Sequence, residues 1–180
     1  MKPTTSTRKK VVIRKLNKEL IKGFVDPNTF LRPEGVEVLN REGRLLTIPL
    51  KEIKGIFFVR DFEGNPQRSE RKVFQSRPRL SGLWIRMTFN DSEILEGLIP
   101  NNLLDSDPLG FHVTPPDMYS NNLRIFIPRS ALAGLEVLGV ISDGSARRAS
   151  RRLAAAQRLA PGSTEQIGLL FPTSSSETKS

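Results

Sequence analysis

Apolar and polar residues alternate in short runs over most of this chain, and turn residues punctuate the runs. Period-two alternation predicts half-buried β-strands. Val11 to Leu16 forms such a run, Asn17-Lys18 supplies a tight turn, and Leu20 to Val25 supplies the hairpin partner. Asp26 to Pro33 holds two prolines and reads as a loop. Val36–Asn40 and Arg44–Ile48 predict a second hairpin around Arg41-Glu42-Gly43, whose glycine tolerates positive φ. Pro49 ends that strand because it has no N–H to donate. Leu50 to Ile53 fits one helical turn, and Gly55 to Val59 a closing strand. The same pattern predicts strands at Leu83–Phe89, Glu93–Ile99, Gly110–Thr114, Leu123–Ile127 and Leu135–Val140.

The two sets of strands are similar in sequence. Ile48-Pro49 through Val59 aligns without gaps on Ile127-Pro128 through Leu138, with Gly55 on Gly134. Val12-Ile13-Arg14 aligns on Trp84-Ile85-Arg86, and Leu20 to Val25 on Ile94 to Ile99, with Gly23 on Gly97. Self-similarity of this kind predicts a duplicated unit. The expected fold is all-β: two tandem five-stranded small barrels of SH3-like or Sm-like type, followed by a C-terminal helix and a disordered tail. Gly23 and Gly97 are expected where the second strand of each copy bends. A single merged sandwich is the alternative. The expected domains are a basic arm (1–9), a first barrel (10–60), a basic linker (61–81), a second barrel (82–141), a basic helix (142–160) and a disordered tail (161–180).

The segment Arg60-Asp61-Phe62-Glu63-Gly64-Asn65 and the run Asn121-Asn122-Leu123-Arg124-Ile125-Phe126-Ile127-Pro128 add a family resemblance. Over about Lys10 to Val140 the chain resembles an uncharacterised bacterial domain family, a domain of unknown function with tandem small β-barrels. More distantly, each copy is similar to an Sm-type unit. The resemblance implies a fold and carries no activity with it.

Composition narrows the function. There is no cysteine, so neither a disulfide framework nor a thiolate metal site is available, and a reducing cytoplasm is the expected location. No apolar run reaches the roughly 20 residues of a transmembrane helix. The single histidine, His112, lies in a predicted strand, where a solvent-facing or hydrogen-bonded role is expected rather than catalysis. A histidine triad or histidine-rich zinc site is excluded, and no nucleophile-elbow or phosphate-loop motif occurs. The acids Asp105, Asp107 and Asp117 lack calcium-loop spacing and read as solvated loop residues. We therefore expect no enzyme activity, no cofactor, no metal and no small-molecule ligand.

The formal net charge is +9, and it is concentrated outside the second strand set: residues 1–22 carry eight basic and one acidic side chain, whereas residues 83–140 carry three basic and seven acidic. Two readings follow. In the first, the protein is a binding or adaptor module. It takes a protein partner, or another copy of itself, on open strand edges and on a loop carrying Pro115, Pro116, Met118 and Tyr119. In the second it binds RNA or single-stranded nucleic acid in an Sm-like manner. Lys9, Lys10, Arg14, Lys15, the linker cations Arg68, Arg71 and Lys72, and Arg147, Arg148, Arg151 and Arg152 of the expected helix would meet phosphates. Phe62 and Phe74 either interleave those linker cations for stacking or pin an extended connector to the barrels. A third reading rests on Arg147-x-x-x-Arg151, which resembles the arginine pair of PilZ cyclic-dinucleotide sensors. That pair precedes the barrel in PilZ and follows it here, and Leu95 stands where the answering motif needs glycine.

Overall fold

Two tight hairpins open the two halves of the molecule, and they share one local solution. The computed structural model describes residues 7–65, 67–102, 107–117 and 119–142, all within one compact unit, Met1–Ser142. Strand β1 (Lys9–Lys15) turns into β2 (Leu20–Val25) with Lys18 at φ 71°. Strand β7 (Gly82–Phe89) turns into β8 (Ile94–Ile99) with Ser92 at φ 65°. Neither left-handed residue is glycine. The preceding Asn17 and Asp91 stabilise each turn by accepting from the backbone N–H of Glu19 (3.0 Å) and Glu93 (3.2 Å).

Between Val25 and Val59 lie β3 (Leu31–Arg32), β4 (Gly35–Asn40), β5 (Leu45–Ile48), a 3-10 turn (Leu50–Glu52) and β6 (Ile53–Val59). Between Ile99 and Ser142 lie β9 (Gly110–Val113), β10 (Asn122–Pro128), a second 3-10 turn (Arg129–Ala131) and β11 (Leu132–Ile141). The short β3 falls inside the stretch expected to be a loop. The expected C-terminal helix and tail lie outside the described residues.

All pairings are antiparallel. In the first half β6 pairs with β1, β1 with β2, β2 with β4, and β4 with β5, while β3 adds two further residues against β4. In the second half β11 pairs with β7 and β7 with β8; a bridge from Leu98 to Thr114 joins the end of β8 to the chain just past β9; β9 pairs with β10. The halves meet where β10 pairs with β6, through Ile125↔Phe57 and Phe126↔Ile56. The result is an eight-stranded sheet running through both halves and a three-stranded sheet, β11-β7-β8.

The all-β expectation holds, and among the described residues no sheet closes on itself. The reason is that β6 spends its second edge on β10 of the other half. Successive side chains of a strand point to opposite faces, so this central pair serves two cores. Ile56, Phe58 and Phe126 pack with Val11, Ile13, Val36 and Val38 in one. Ile125, Ile127 and Phe57 pack with Ile85, Met87, Phe89 and Val113 in the other. A buried cation also crosses the junction. Lys54 on β6 donates to Asp91 and Glu93 of the β7–β8 turn and lies 4.8 Å from the centre of the Phe89 ring.

Gly23 and Gly97 sit where the third main strand of each half crosses the second. A Cβ at Gly23 would lie 2.5 Å from the Leu39 carbonyl oxygen, and one at Gly97 would lie 2.1 Å from Val113 Cγ1. Close approach of a neighbouring strand, rather than the expected bend, is what these contacts show to require glycine here.

Candidate functional site

The segment between β6 and β7 is tied down along its length. Phe62 stacks edge-on against Phe24 with ring centres 5.3 Å apart, and Phe74 against Trp84 at 5.9 Å. The two phenylalanines thus pin the segment, which was one of their two expected roles. The two motifs that carried the family resemblance meet directly. Asn121 donates from Nδ2 to the Asp61 carbonyl (2.7 Å), and its Oδ1 accepts from the Asp61 N–H (3.0 Å). The Arg60 N–H donates to the Asn121 carbonyl at 3.0 Å.

Further along, Arg68 donates to both oxygens of Asp117 at 2.8 and 2.9 Å. Glu70 accepts from Ser120 Oγ at 2.6 Å and from Asn122 Nδ2. Glu96, buried on β8, is the strongest anchor. It accepts from the Phe74 N–H (3.0 Å), from Trp84 Nε1 (3.2 Å) and from the Arg86 guanidinium (2.9 Å), and its own N–H donates to the Lys72 carbonyl (2.7 Å). A buried carboxylate is tolerated only with this degree of hydrogen bonding.

These anchors leave a groove of about 600 Å³ between the segment and the loop after β9. Val73, Phe74, Leu80, Leu98, Pro115, Pro116 and Tyr119 supply its apolar lining. Arg71, Arg77 and Arg79 line it too, and no carboxylate does among the described residues. Pro115 is buried, Pro116 half-buried, and Tyr119 exposed. Met118 lies outside the described residues, as do Arg147, Arg148, Arg151 and Arg152.

The other basic candidates are mostly engaged by acids. Lys10 pairs with Asp61 (3.3 Å), Arg14 with Glu93 (3.5 Å), Lys15 with Glu19 and Glu52 (3.0 Å each), and Lys72 with Glu93 (3.0 Å). Lys9 is exposed on β1. Two expectations need correction. Asp117 is not a solvated loop acid but is buried against Arg68, a partner 49 residues away in sequence. His112 neither faces solvent freely nor has a hydrogen-bonding partner at Nδ1; its ring lies 5.0 Å from that of Phe126. Burial first, then the charge of Arg124, pushes its pKa down, which favours a neutral ring. No group of three or more His, Cys, Asp or Glu among the described residues is placed to hold a metal.

Burial pushes the Glu96, Glu93 and Asp117 carboxyls up. Hydrogen bonds to Phe74 and Arg86, to Lys54 and Lys72, and to Arg68 respectively outweigh it, so all three lie below their ordinary values. Groups lowered by folding bind fewer protons in the folded state than in the unfolded chain at acid pH. Their stabilisation is complete above the ordinary carboxylate range and is lost as pH falls through the folded values. Urea midpoints should therefore stay level from about pH 7 down to about pH 5 and fall below that. In Glu96→Gln the fall should be shallower.

Fold and groove together define an all-β protein of two antiparallel sheets with a basic, apolar-floored cleft. The chain belongs to a family of unknown function, DUF6982, whose model matches residues 7–139. No curated protein and no solved structure matches it significantly.

Proposed function

We propose that this protein is a non-enzymatic adaptor built from a duplicated five-strand unit, and that it holds an acidic, apolar segment of a partner protein in the groove beside Tyr119. The duplication is supported by strand order, β6-β1-β2-β4-β5 in one half and β11-β7-β8-β9-β10 in the other, and by the matched turns at Lys18 and Ser92. Each unit is an open version of the five-stranded barrel.

The observation that carries the binding reading is the lining of the groove: among the described residues, three arginines, no carboxylate, an apolar floor and an exposed tyrosine at the rim. Arginine forks suit carboxylates, and a rigid amphipathic tyrosine is a common anchor in interfaces. Nucleic-acid binding is the weaker reading. Lys10, Arg14, Lys15, Arg68 and Lys72 each face an acid, and a stacking surface for several bases needs more than one exposed aromatic ring.

The test is fluorescence anisotropy with the full chain. The probes are labelled decapeptides alternating leucine with glutamate or with lysine, and a pool of short RNAs, each at two salt concentrations. The acidic peptides should bind, with affinity falling at higher salt, and Tyr119→Ala should weaken them about tenfold or more, in line with the loss of an interface anchor. Preference for the RNA pool, or acidic peptides binding equally well to Tyr119→Ala, would remove the groove reading.

A further inference from the structure

The internal β6–β10 seam has an unfilled counterpart at the two ends of the strand order. In the duplicated unit, β6 corresponds to β11 and β10 to β5. β6 and β10 cover each other's edges. Among the described residues β5 pairs only with β4, and β11 only with β7.

The same sequence positions therefore occur once paired and once bare. Ile56 and Phe58 on β6 are buried, while their counterparts Leu135 and Val137 on β11 are 38% and 50% exposed. Ile125 on β10 is buried, while its counterpart Leu46 is 36% exposed and the adjoining Leu45 is 63% exposed. Leu135 and Val137 sit opposite Met87 and Ile85 of the second core, so they continue a core-facing row out to an open edge. An apolar open edge is a template for another strand, and native proteins ordinarily block such edges with lysine, proline or a covering element.

We propose that β5 of one molecule pairs antiparallel with β11 of a second copy, reproducing between chains the seam that β10 and β6 make within one. Transferring the internal register sets Thr47 opposite Leu135, Leu46 opposite Glu136 and Leu45 opposite Val137. This run falls between the irregularities of β11 at Leu132/Gly134 and Val137/Gly139. Arg44, two residues from Leu46 on the same face, lies diagonal to Glu136 and complements its charge. A contact between two different edges is heterologous, so each copy keeps one edge to offer and assembly runs head to tail. The inference rests on the duplicated-unit reading and is independent of the groove.

The test is the mass in solution of the full chain, by size exclusion with light scattering, for the unmodified protein, Leu45→Lys and Val137→Lys. Both substituted side chains are exposed in a single copy, so each variant should keep the fold, read as an unchanged circular dichroism spectrum and a cooperative thermal transition. The unmodified chain should form multimers, each variant alone should be reduced to monomers, and an equal mixture of the two should give heterodimers. The heterodimer forms because one variant retains β11 and the other retains β5.

A monomeric unmodified chain overturns the proposal. So does a multimer that survives either substitution, or an edge variant that stays dimeric alone. Amide exchange of the unmodified chain gives a readout free of substitutions. β5 and β11 should be as protected as β6 and β10, and rapid exchange at either edge counts against the seam. Acidic-peptide binding, read on the same samples, should be unchanged in both variants, which separates failure of assembly from failure of the groove.

Discussion

Gly97→Ala is expected to destabilise the protein by about 3 kcal/mol, the upper part of the usual range for forcing atoms into a packed core. The new methyl carbon would lie 2.1 Å from Val113 Cγ1 and 3.0 Å from the Thr114 carbonyl oxygen. Val113 is buried in the second core, and a β-branched side chain has little rotamer freedom to give way. The Thr114 carbonyl accepts the Leu98 N–H at 3.0 Å, so moving it breaks the contact that ties β8 to the chain after β9. Gly139→Ala is the control. A Cβ there meets nothing within 4 Å, and its effect should stay within about 0.5 kcal/mol. Urea unfolding of the two variants measures both values.

Glu96→Ala should cost a similar amount, about 3 kcal/mol, because removing a buried carboxylate leaves its donors behind. The Phe74 N–H and Trp84 Nε1 lose their acceptor outright. Arg86 loses less, since part of its side chain reaches water and Glu136 lies 3.8 Å away. The loss should also have a local signature. Glu96 is the residue to which the 72–74 stretch is tied, so trypsin should cut the variant after Arg71, Lys72 or Arg79 well before the rest of the chain. Acidic-peptide binding should fall in parallel, because Phe74 forms part of the groove. Equal global stability with an intact segment would show that the Phe74–Trp84 contact suffices alone.

The strands were legible because alternation and turn chemistry agree along most of the chain. Asn17-Lys18 marked its turn, and Gly23 and Gly97 stood out as glycines inside strand runs. β3 escaped notice because two residues cannot establish a period. The pairing between the halves was not legible for a different reason. A strand's sequence reports which of its faces are apolar, not which strand takes its second edge. The composition of Ile56–Val59 and of Ile125-Phe126-Ile127 did carry a clue: continuous apolar runs mark burial on both faces. The second and larger part of the site depended on distant partners. Glu96 interrupted an otherwise apolar strand, which is a readable signal for a buried, satisfied carboxylate. Nothing local to Asp117 announces Arg68, and nothing local to Asn121 announces Asp61.

Phe126 completes the interior of the first half, and Phe57 reaches into that of the second. The boundary between the two halves of the sequence is therefore not a seam along which the molecule can be divided. A fragment cut there would inherit a hole where its neighbour's aromatic ring had been, together with a raw strand edge. Each half needs the other to be whole, so they can be transplanted only together.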